Sequence, residues 1–421
     1  MKKCLLVLSI VFCFAIRSNG QAITSVANGN WYNPTTWSCT CLPSPTDSII
    51  VNHTVVLDNN FALNGGSITV GTNGVLKENT PGRYLVMNAG YIENKGKIKI
   101  SRVGFFGGEF NNLDSCLFYS VFYSGAYVTN QGSISGIDSL FIDAYFFNDA
   151  SGIVTASETT VNDTLYNIGQ LNFIDMWNTG VFYNYNITRV YNLLSTNIGE
   201  NDEELTYYNF SNTGEFENYG FMQGYIDASN FGYLLNDETA TFVVENNFMN
   251  ADTAAHLALL ENEGEVYVGG NFYNLDTITG INGRICVKMA STNAGAMNGS
   301  FDFCDLSGSG HPDLMVGAAT ISPDITFCTY PCVEGTTSPV DPGNALSVYP
   351  NPTTNQLFFE FSDNVSNTQI VVTDVLGNVV FNQSGIQGKL ITFTKGNLPA
   401  GFYFYLIKSD KQQFAGKIIL Q

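Results

Sequence analysis

Residues 212–221 read Asn212-Thr213-Gly214-Glu215-Phe216-Glu217-Asn218-Tyr219-Gly220-Phe221, which is two closely spaced copies of an Asn-x-Gly-x-apolar pattern. Further copies start at Asn94, Asn130, Asn167, Asn178, Asn230 and Asn262, with degenerate copies at Asp149 and Asn197. Several copies recur about twenty residues apart, with β-branched and aromatic residues between polar turns and almost no helical periodicity. This pattern is typical of a β-solenoid, in which each repeat forms one coil that stacks on the next.

We therefore predict an all-β chain whose body is a right-handed parallel β-helix, or β-solenoid. Asn tolerates the left-handed backbone conformation of a coil corner, and its amide can hydrogen-bond to an Asn of the next coil. Gly allows a sharp turn without a clash at Cβ. Aromatic runs such as Phe105-Phe106, Tyr183 to Tyr185 and Tyr207-Tyr208 fit this architecture, and we expect most of them to fill the core rather than to bind sugars.

The chain is acidic, with 17 Lys and Arg against 37 Asp and Glu and a formal net charge of -20. The excess lies in residues 21–345, which hold 9 basic and 33 acidic residues. Nucleic acid is therefore not an expected partner, because phosphate binding needs clustered Lys and Arg. Cations, or polymers that tolerate an acidic surface, fit better, although acidity also serves simply to keep a secreted protein soluble.

The N-terminus has the pattern of a secretory signal peptide over residues 1–20. Lys2 and Lys3 precede an apolar stretch from Leu5 to Ile16, and small or neutral residues come before Gln21. The apolar run is shorter than a membrane-spanning helix needs, and no second long run follows, so we expect no transmembrane segment.

Residues 21–58 are predicted to cap the N-terminal end of the solenoid. The segment from Asn30 to Trp37, followed by Val51 to Asp58, resembles a segment that often opens secreted β-helical proteins. Trp31 and Trp37 are candidates for carbohydrate contact by ring stacking. We favour the alternative that they cover the first coil.

Seven cysteines follow the signal peptide, and an oxidising compartment permits disulfides between them. Cys286, Cys304, Cys328 and Cys332 are the disulfide candidates, since they lie where cross-links would fasten the C-terminal end of the solenoid. Cys39 and Cys41 are separated by one residue and would close a strained ring, so partners elsewhere are considered.

No catalytic constellation emerges, and we predict neither catalytic residues nor a metal site. His53, His256 and His311 lie in separate segments, and Gly-x-Ser-x-Gly, His-Glu-x-x-His and P-loop motifs are absent. Carboxylates are plentiful, and two of them suffice for a glycoside hydrolase. Only Arg189 provides a cation between residues 103 and 283, which disfavours a polysaccharide lyase.

No cofactor is expected, with Ca²⁺ as the one alternative. Asn201-Asp202-Glu203-Glu204 supplies the hard oxygen ligands that Ca²⁺ prefers, but it lacks the spacing of a known calcium loop. We favour an acidic loop that projects into water without a metal.

The last part of the chain contains seven short β-prone runs separated by turn residues, which predicts a small antiparallel β-sandwich. Three motifs punctuate the runs, and Gly416-Lys417 follows near the end: Tyr349-Pro350-Asn351-Pro352, Asp374-Val375-Leu376-Gly377-Asn378 and Leu398-Pro399-Ala400-Gly401-Phe402-Tyr403. In this order and spacing the motifs closely resemble the C-terminal sorting domain of the type IX secretion system of certain Gram-negative bacteria.

The resemblance implies where the protein is exported and does not imply a biochemical activity. It implies a sorting signal carried by Pro350, Asn351, Pro352, Asp374, Gly377, Pro399, Gly401 and Lys417. It also implies that the secretion machinery is a partner. We expect the protein to be secreted or displayed on the outer-membrane surface after passage through the periplasm.

The predicted organisation is a signal peptide, a cap, a solenoid body, a linker and a sorting domain, at residues 1–20, 21–58, 59–332, 333–345 and 346–421. Two functions fit this organisation. The first is a secreted or surface-displayed adhesin, matrix or carbohydrate-contacting protein without catalysis, with polysaccharide or other cell-surface material as partner. The second is a secreted polysaccharide-active enzyme, with a glycoside hydrolase preferred over a lyase.

Overall fold

The computed structural model is built almost wholly of β-strands, with a parallel β-solenoid body and a separate antiparallel sheet at the C-terminus. It describes residues 21–253, 257–308, 310–329, 332, 346–349, 353–374, 379–396, 398–399, 401–408 and 413–420. The predicted signal peptide and the linker 333–345 lie outside the described residues. The parallel body and the antiparallel tail confirm the predicted fold class.

The chain divides into two compact units. The first comprises Met1–Tyr225, Ser229–Leu234 and Thr253–Leu257, and the second comprises Ile226–Ala228, Leu235–Asp252 and Ala258–Gln421. The predicted domain boundaries stay a prediction.

The first unit contains one short 3-10 helix, Pro34–Thr36, and a long series of strands. In chain order these are β1 Ala22–Thr24, β2 Gly29–Asn30, β3 Ser48–Val51, β4 Thr54–Val56, β5 Phe61–Val70, β6 Val75–Lys77, β7 Tyr84–Asn94, β8 Lys97–Phe105, β9 Glu109–Asn112, β10 Ser115–Ser124, β11 Tyr127–Asn130, β12 Ser133–Ile142, β13 Phe146–Asn148, β14 Ile153–Val161, β15 Thr164–Asn167, β16 Gln170–Asn178, β17 Val181–Asn184, β18 Ile187–Ser195, β19 Ile198–Asn201, β20 Glu204–Asn212, β21 Glu215–Asn218 and β22 Phe221–Gly224.

The two strands that follow, β23 Ala228–Asn230 and β24 Tyr233–Asn236, contain residues of both units. The remaining solenoid strands belong to the second unit. They are β25 Thr241–Val244, β26 Phe248–Asn250, β27 Leu259–Asn262, β28 Glu265–Val268, β29 Phe272–Asn274, β30 Thr277–Thr279, β31 Ile281–Val287, β32 Ser291–Asn293, β33 Ala296–Met297, β34 Ser300–Asp305, β35 Leu314–Met315, β36 Thr320–Ile321 and β37 Thr326–Phe327.

One solenoid turn of the first unit consists of a long bent strand and a short strand. β16 pairs in parallel with β18, and β17 with β19, one turn further along the chain. Buried and outward residues alternate along β16 except at Ile174-Asp175, where two successive residues point away from the core and the strand bends. Polar turns at Thr179-Gly180 and Tyr185-Asn186 join the strands, so that each turn has three straight sides.

Apolar side chains from successive turns form the core of the first unit. Phe105 packs against Phe110 and Phe122, with ring centroids 4.8 Å and 5.5 Å apart. In two of the predicted aromatic runs one ring turns inward and its neighbour turns outward: Phe105 is buried beside exposed Phe106, and Tyr207 is buried beside exposed Tyr208. In the third run neither Tyr183 nor Tyr185 is buried. The inward prediction is therefore right for Phe105 and Tyr207 only, because successive residues of a strand point to opposite faces.

A ladder of fully buried asparagines runs along one corner of the turns. In the first unit each of the first seven members donates Nδ2 to Oδ1 of the next at 2.7 to 2.8 Å. The members are Asn94, Asn112, Asn130, Asn148, Asn167, Asn184, Asn201 and Asn218. The second unit has the same kind of contact between Asn250, Asn274 and Asn293. The predicted bonding of Asn to Asn between coils is confirmed.

The ladder also corrects the predicted period. Its members are 17 to 19 residues apart in the first unit, not about twenty. Asn197, taken as a degenerate copy, lies outside the ladder and donates to the carbonyl of Thr179 from an exposed turn. The register partner of Asn178 in the next turn is Ser195.

The backbone at the corners differs from the expected one. Among the described non-glycine residues, positive φ occurs at Thr40, Asn282 and Cys328, and at no ladder asparagine. Gly180 and Gly220 do not have positive φ either. A Cβ at Gly180 would lie 2.1 Å from the carbonyl oxygen of Asp163 in the preceding turn. Glycine is therefore required by the close approach of two turns of backbone.

The predicted N-terminal cap takes part in the same parallel pairing, since β1 pairs with β3 and β2 with β4. Trp31 and Trp37 are fully buried and meet edge to face, with ring centroids 5.2 Å apart. Trp37 Nε1 donates to the carbonyl of Trp31 at 2.8 Å. Neither indole offers a face to a sugar, which corrects the carbohydrate-contact hypothesis and favours a packing role.

Disulfides occur at both ends of the body. Cys39 and Cys41 are bonded to each other, although their spacing suggested partners elsewhere. Near the C-terminal end the bonds are Cys286–Cys332 and Cys304–Cys328. Cys286 and Cys304 are register neighbours on β31 and β34, and each is bonded to a cysteine of the segment that follows. Cys116 is buried and free.

The C-terminal sheet has five strands: β38 Leu346–Tyr349, β39 Gln356–Asp374, β40 Val379–Thr394, β41 Gly401–Lys408 and β42 Gln413–Leu420. The first part of β39 pairs with β38 and the last part with β41, while β40 follows β39 through several register shifts. The seven predicted runs thus form five strands, because two pairs of runs join into long bent ones. Leu357, Phe359 and Ile370 are among the buried residues of a separate apolar core.

Candidate functional site

An outward column of side chains crosses four turns on the short side of the solenoid. Tyr166, Tyr183, Glu200 and Glu217 are register partners on β15, β17, β19 and β21. They point outward because each alternates with a buried neighbour, such as Phe182 on β17. The column therefore combines two aromatic rings with two carboxylates.

A second column follows at the adjoining corner. Tyr185, Asp202 and Tyr219 each come directly after a ladder asparagine, and the backbone N–H of each donates to a ladder carbonyl of the preceding turn. The two columns together are named the tyrosine–carboxylate patch, consisting of Tyr166, Tyr183, Tyr185, Glu200, Asp202, Glu217 and Tyr219. All seven residues belong to the first unit.

Ring contacts and hydrogen bonds fix the geometry of the patch. The ring of Tyr185 lies 5.0 Å from that of Tyr166 and 6.3 Å from that of Tyr183. Its hydroxyl donates to Glu200 Oε1 at 2.6 Å, and the hydroxyl of Tyr219 donates to Glu217 Oε2 at 2.7 Å. The hydroxyls thus hold the carboxylates in place.

The electrostatics follow from partial burial and from the acidity of the neighbourhood. Burial raises the pKa of Glu200, the charges of Asp202 and Glu217 raise it further, and the Tyr185 hydroxyl opposes them. Burial also raises the pKa of Asp202 and the pKa of Tyr185. No described Lys or Arg forms an ion pair with a carboxylate of the patch. The patch is therefore a hydrogen-bond acceptor surface without a compensating cation.

A second aromatic surface occurs at the bend of the long strands. Tyr191, Tyr208 and Tyr225 are 41 to 45% exposed, and their rings are in contact across three turns. Tyr191 stacks on Tyr208 with ring centroids 4.5 Å apart, and Tyr225 is tilted against Tyr208 at 5.3 Å. Beside them, Asn209 donates to Asn192, and Asn192 donates to Asp175. We name these three aromatic residues the tyrosine ladder.

The acidic segment considered for Ca²⁺ does not present its side chains together. Asn201 is a buried ladder member that donates to Asn218, whereas Glu204 faces Arg189 at 3.5 Å. Among the described residues no three His, Cys, Asp or Glu side chains are grouped so that they could hold a metal ion. Asp202 contributes to the tyrosine–carboxylate patch instead.

The sequence did contain a signal for the patch. Positions 166, 183, 200 and 217 follow one another at the interval that separates Asn184 from Asn201, which is 17 residues. A period of about twenty residues does not bring these positions into register. The sequence pattern therefore did not identify four of the site residues, which are Tyr166, Glu200, Glu217 and Tyr219. Knowing the length of one turn would have aligned them.

The predicted sorting motifs are divided between described and undescribed residues. Pro350, Asn351, Pro352 and Gly377 lie outside the described residues. Asp374 ends β39, Gly401 begins β41, and Lys417 lies on β42. Pro399 precedes β41, and its carbonyl accepts a hydrogen bond from the Tyr403 hydroxyl at 3.0 Å. This bond ties the segment before β41 to a buried aromatic side chain of the sheet.

Comparison with protein families gives a match in the tail. Residues 347–421 match the family described as "Secretion system C-terminal sorting domain". The tail is a type IX secretion sorting domain. The sorting domain directs the protein to the cell surface or to the outside, and it makes the type IX secretion machinery a partner. Among the described residues there is no helix with the length and hydrophobicity needed to cross a bilayer.

No curated protein matches the chain. Among solved structures, the chain is similar to ChiW, a cell-surface-expressed multi-modular chitinase from Paenibacillus sp. strain FPU-7, at 15% identity and a TM-score of 0.16. The similarity covers 84% of this chain and 24% of the chitinase chain, so the protein spans about a quarter of that chain's length.

Proposed function

We propose that this exported β-solenoid protein binds a neutral polysaccharide on its surface, as an adhesin or matrix component, without cleaving it. The observation that carries the proposal is the tyrosine–carboxylate patch, in which Tyr166, Tyr183 and Tyr185 lie within ring-contact distance of each other beside Glu200. Aromatic faces pack against the C–H faces of sugar rings, and fixed carboxylates accept hydrogen bonds from sugar hydroxyls.

The charge of the patch supports a neutral ligand. Three carboxylates without a paired cation would repel uronates and phosphates, and the same carboxylates are good acceptors for uncharged hydroxyls. The repeat of the solenoid supports a polymer over a small sugar. Contacts recur with each turn, about every 4.8 Å, so that several weak contacts act on one chain at once.

Affinity measurement on neutral polysaccharides tests this proposal. The folded protein should be retarded in gels that contain a neutral β-linked glucan, mannan or xylan, and Tyr166→Ala with Tyr183→Ala should abolish the retardation. Tyr119→Ala removes an exposed tyrosine of β10 outside the patch and serves as the matched control. Equal binding by the patch variant and the wild type, with both folded, would contradict the proposal.

A glycoside hydrolase is the second candidate, and one observation favours it. Glu200 and Glu217 are direct register partners on adjacent turns, and strands in register lie about 4.8 Å apart. Retaining glycosidases hold their two carboxyl groups about 5 Å apart, which side chains on backbones with this spacing can reach, and a raised carboxyl pKa suits the general acid. Release of reducing ends by the wild type, lost in both Glu200→Gln and Glu217→Gln, would establish cleavage and replace the binding proposal.

A further inference from the structure

The basic residues of the body are concentrated in its first turns. Of the nine Lys and Arg between residues 21 and 345, six lie between residues 77 and 102. Lys77 on β6 is the direct register partner of Lys99 on β8. Lys97 precedes Lys99 by two positions on the same strand, so that its side chain points to the same face. The three lysines are named the lysine cluster.

The lysine cluster has no internal counter-charge. Lys95 pairs with Glu93 at 2.6 Å, and Arg102 lies over the ring of Tyr84 at 5.1 Å. By contrast, Lys77, Lys97 and Lys99 form no ion pair with any residue that the structure describes. Apart from the Lys77–Lys99 pair, every register partner of these lysines is uncharged. The partners are Val56 and Val75 in the preceding turns and Ser115 and Leu117 in the following turn.

Side-by-side like charges raise the free energy of a folded sheet. Lys77 and Lys99 are directly opposed, and neither is compensated by a carboxylate in register, in a body with 33 acidic residues. An external anion that bridges the two ammonium groups would relieve this repulsion. Lys97 is exposed and Lys77 and Lys99 are half-buried, so the cluster has the charge of a binding site for a negatively charged group at the surface.

We propose that the lysine cluster binds an anionic polysaccharide that carries one carboxylate per sugar unit, a polyuronate. Two features select this ligand among anions. Lys77 and Lys99 are one turn apart, about 4.8 Å, which is close to the length of one sugar unit, so that neighbouring carboxylates of one chain meet neighbouring lysines. The surrounding acidic body repels densely charged polymers such as nucleic acids more strongly than a polymer with one charge per sugar.

This site is separate from the proposed neutral-glycan site. The lysine cluster lies on β6 and β8, and the tyrosine–carboxylate patch on the strands from β15 to β21, both in the first unit. A protein with both sites would bind a neutral and an acidic polysaccharide at once. The two proposals are tested by different polymers and different variants, so each fails independently of the other.

The experiment measures binding of polygalacturonate to the full-length exported protein at low and at physiological ionic strength. Lys77→Gln with Lys97→Gln and Lys99→Gln should weaken binding by roughly tenfold or more and should reduce its dependence on salt. Lys95→Gln with Arg189→Gln and Arg284→Gln is the matched control, because it changes the net charge equally at cations that are already paired. The control should bind as the wild type does.

Three results would overturn the proposal. The first is an equal loss in the charge-matched control, which would assign the effect to net charge. The second is equal or tighter binding of inorganic phosphate, duplex DNA or phosphatidylglycerol vesicles. The third is unchanged polygalacturonate binding by the folded lysine variant. Circular dichroism and thermal unfolding of each variant establish that it is folded.

Discussion

The asparagine ladder predicts that two chemically identical substitutions have very different effects on stability. Asn184 is in the interior of the ladder, and its side chain takes part in about four hydrogen bonds. Its Oδ1 accepts from Asn167 and Thr188, and the two hydrogens of its Nδ2 are shared among Asn201 Oδ1 and the carbonyls of Asn186 and Glu204. Asn178 begins a second row of buried polar residues, and its side chain donates to Ser195 and to the carbonyl of Ile198. Its Oδ1 is buried without a partner. Both side chains are fully buried and have the size of leucine.

The magnitudes follow from the bonds lost. At about 1 kcal/mol net for each bond, Asn184→Leu should cost about 3–5 kcal/mol, including the buried Asn201 oxygen that loses its donor. Asn178→Leu loses two bonds and leaves the Ser195 hydroxyl and the Ile198 carbonyl without that donor, at a cost of about 2–3 kcal/mol. It also removes a buried oxygen that has no partner, which offsets about 1–3 kcal/mol, so its net cost should be about 0–2 kcal/mol. The difference between the two variants is therefore several kcal/mol.

Urea unfolding followed by far-ultraviolet circular dichroism measures this difference on the folded protein. Both variants replace Asn by Leu in the same unit. Comparing them therefore cancels the general effects of that replacement, namely the different β-propensity and hydrophobicity of Asn and Leu. Equal losses in both variants, or a larger loss in Asn178→Leu, would refute the claim that the inter-turn bonds stabilise the solenoid.

Four further predictions concern the glycines, the disulfides, the patch and the tail. Gly180→Ala should lower the free energy of unfolding in urea by at least about 1–3 kcal/mol, because the new Cβ would clash with a backbone oxygen. Gly317→Ala is the control: its Cβ would have no atom within 4 Å, so any loss there comes from the positive φ of residue 317. Replacing Cys304 and Cys328 by serine removes a link across 24 residues and should cost about 3 kcal/mol, as measured by thermal unfolding with and without reductant. Burial raises the pKa of Glu200, so the folded state binds the Glu200 proton more tightly than the unfolded chain does. The contribution of Glu200 to the free energy of unfolding therefore falls as the pH rises from the usual carboxyl pKa to the raised one. Glu200→Gln should remove that fall in unfolding measurements across acidic pH, and an unchanged pH profile would contradict the assignment. Deletion of the sorting domain from residue 346 onward should leave folded protein in the periplasm, as shown by cell fractionation, and normal secretion of the truncated protein would contradict its role.

Much of the architecture was predictable from the sequence. Asn-x-Gly corners without helical periodicity indicate stacked coils, because Asn side chains can hydrogen-bond from coil to coil and Gly allows sharp turns. The tail was predictable from motifs such as Asp374 to Asn378 and Leu398 to Tyr403, whose order and spacing are independent of long-range contacts. These features are local, so the sequence determines them without knowledge of what packs against them.

The candidate sites depended on the tertiary structure. The spacing of the ladder varies from 17 to 19 residues in the first unit and reaches 24 to 26 in the second, so no single period aligns the turns. Only the inter-turn register brings Tyr183 to Glu200 and Lys77 to Lys99. The physical reason is that a side chain's neighbours in a solenoid lie one turn away, and the length of that turn is set by loops that the core does not constrain.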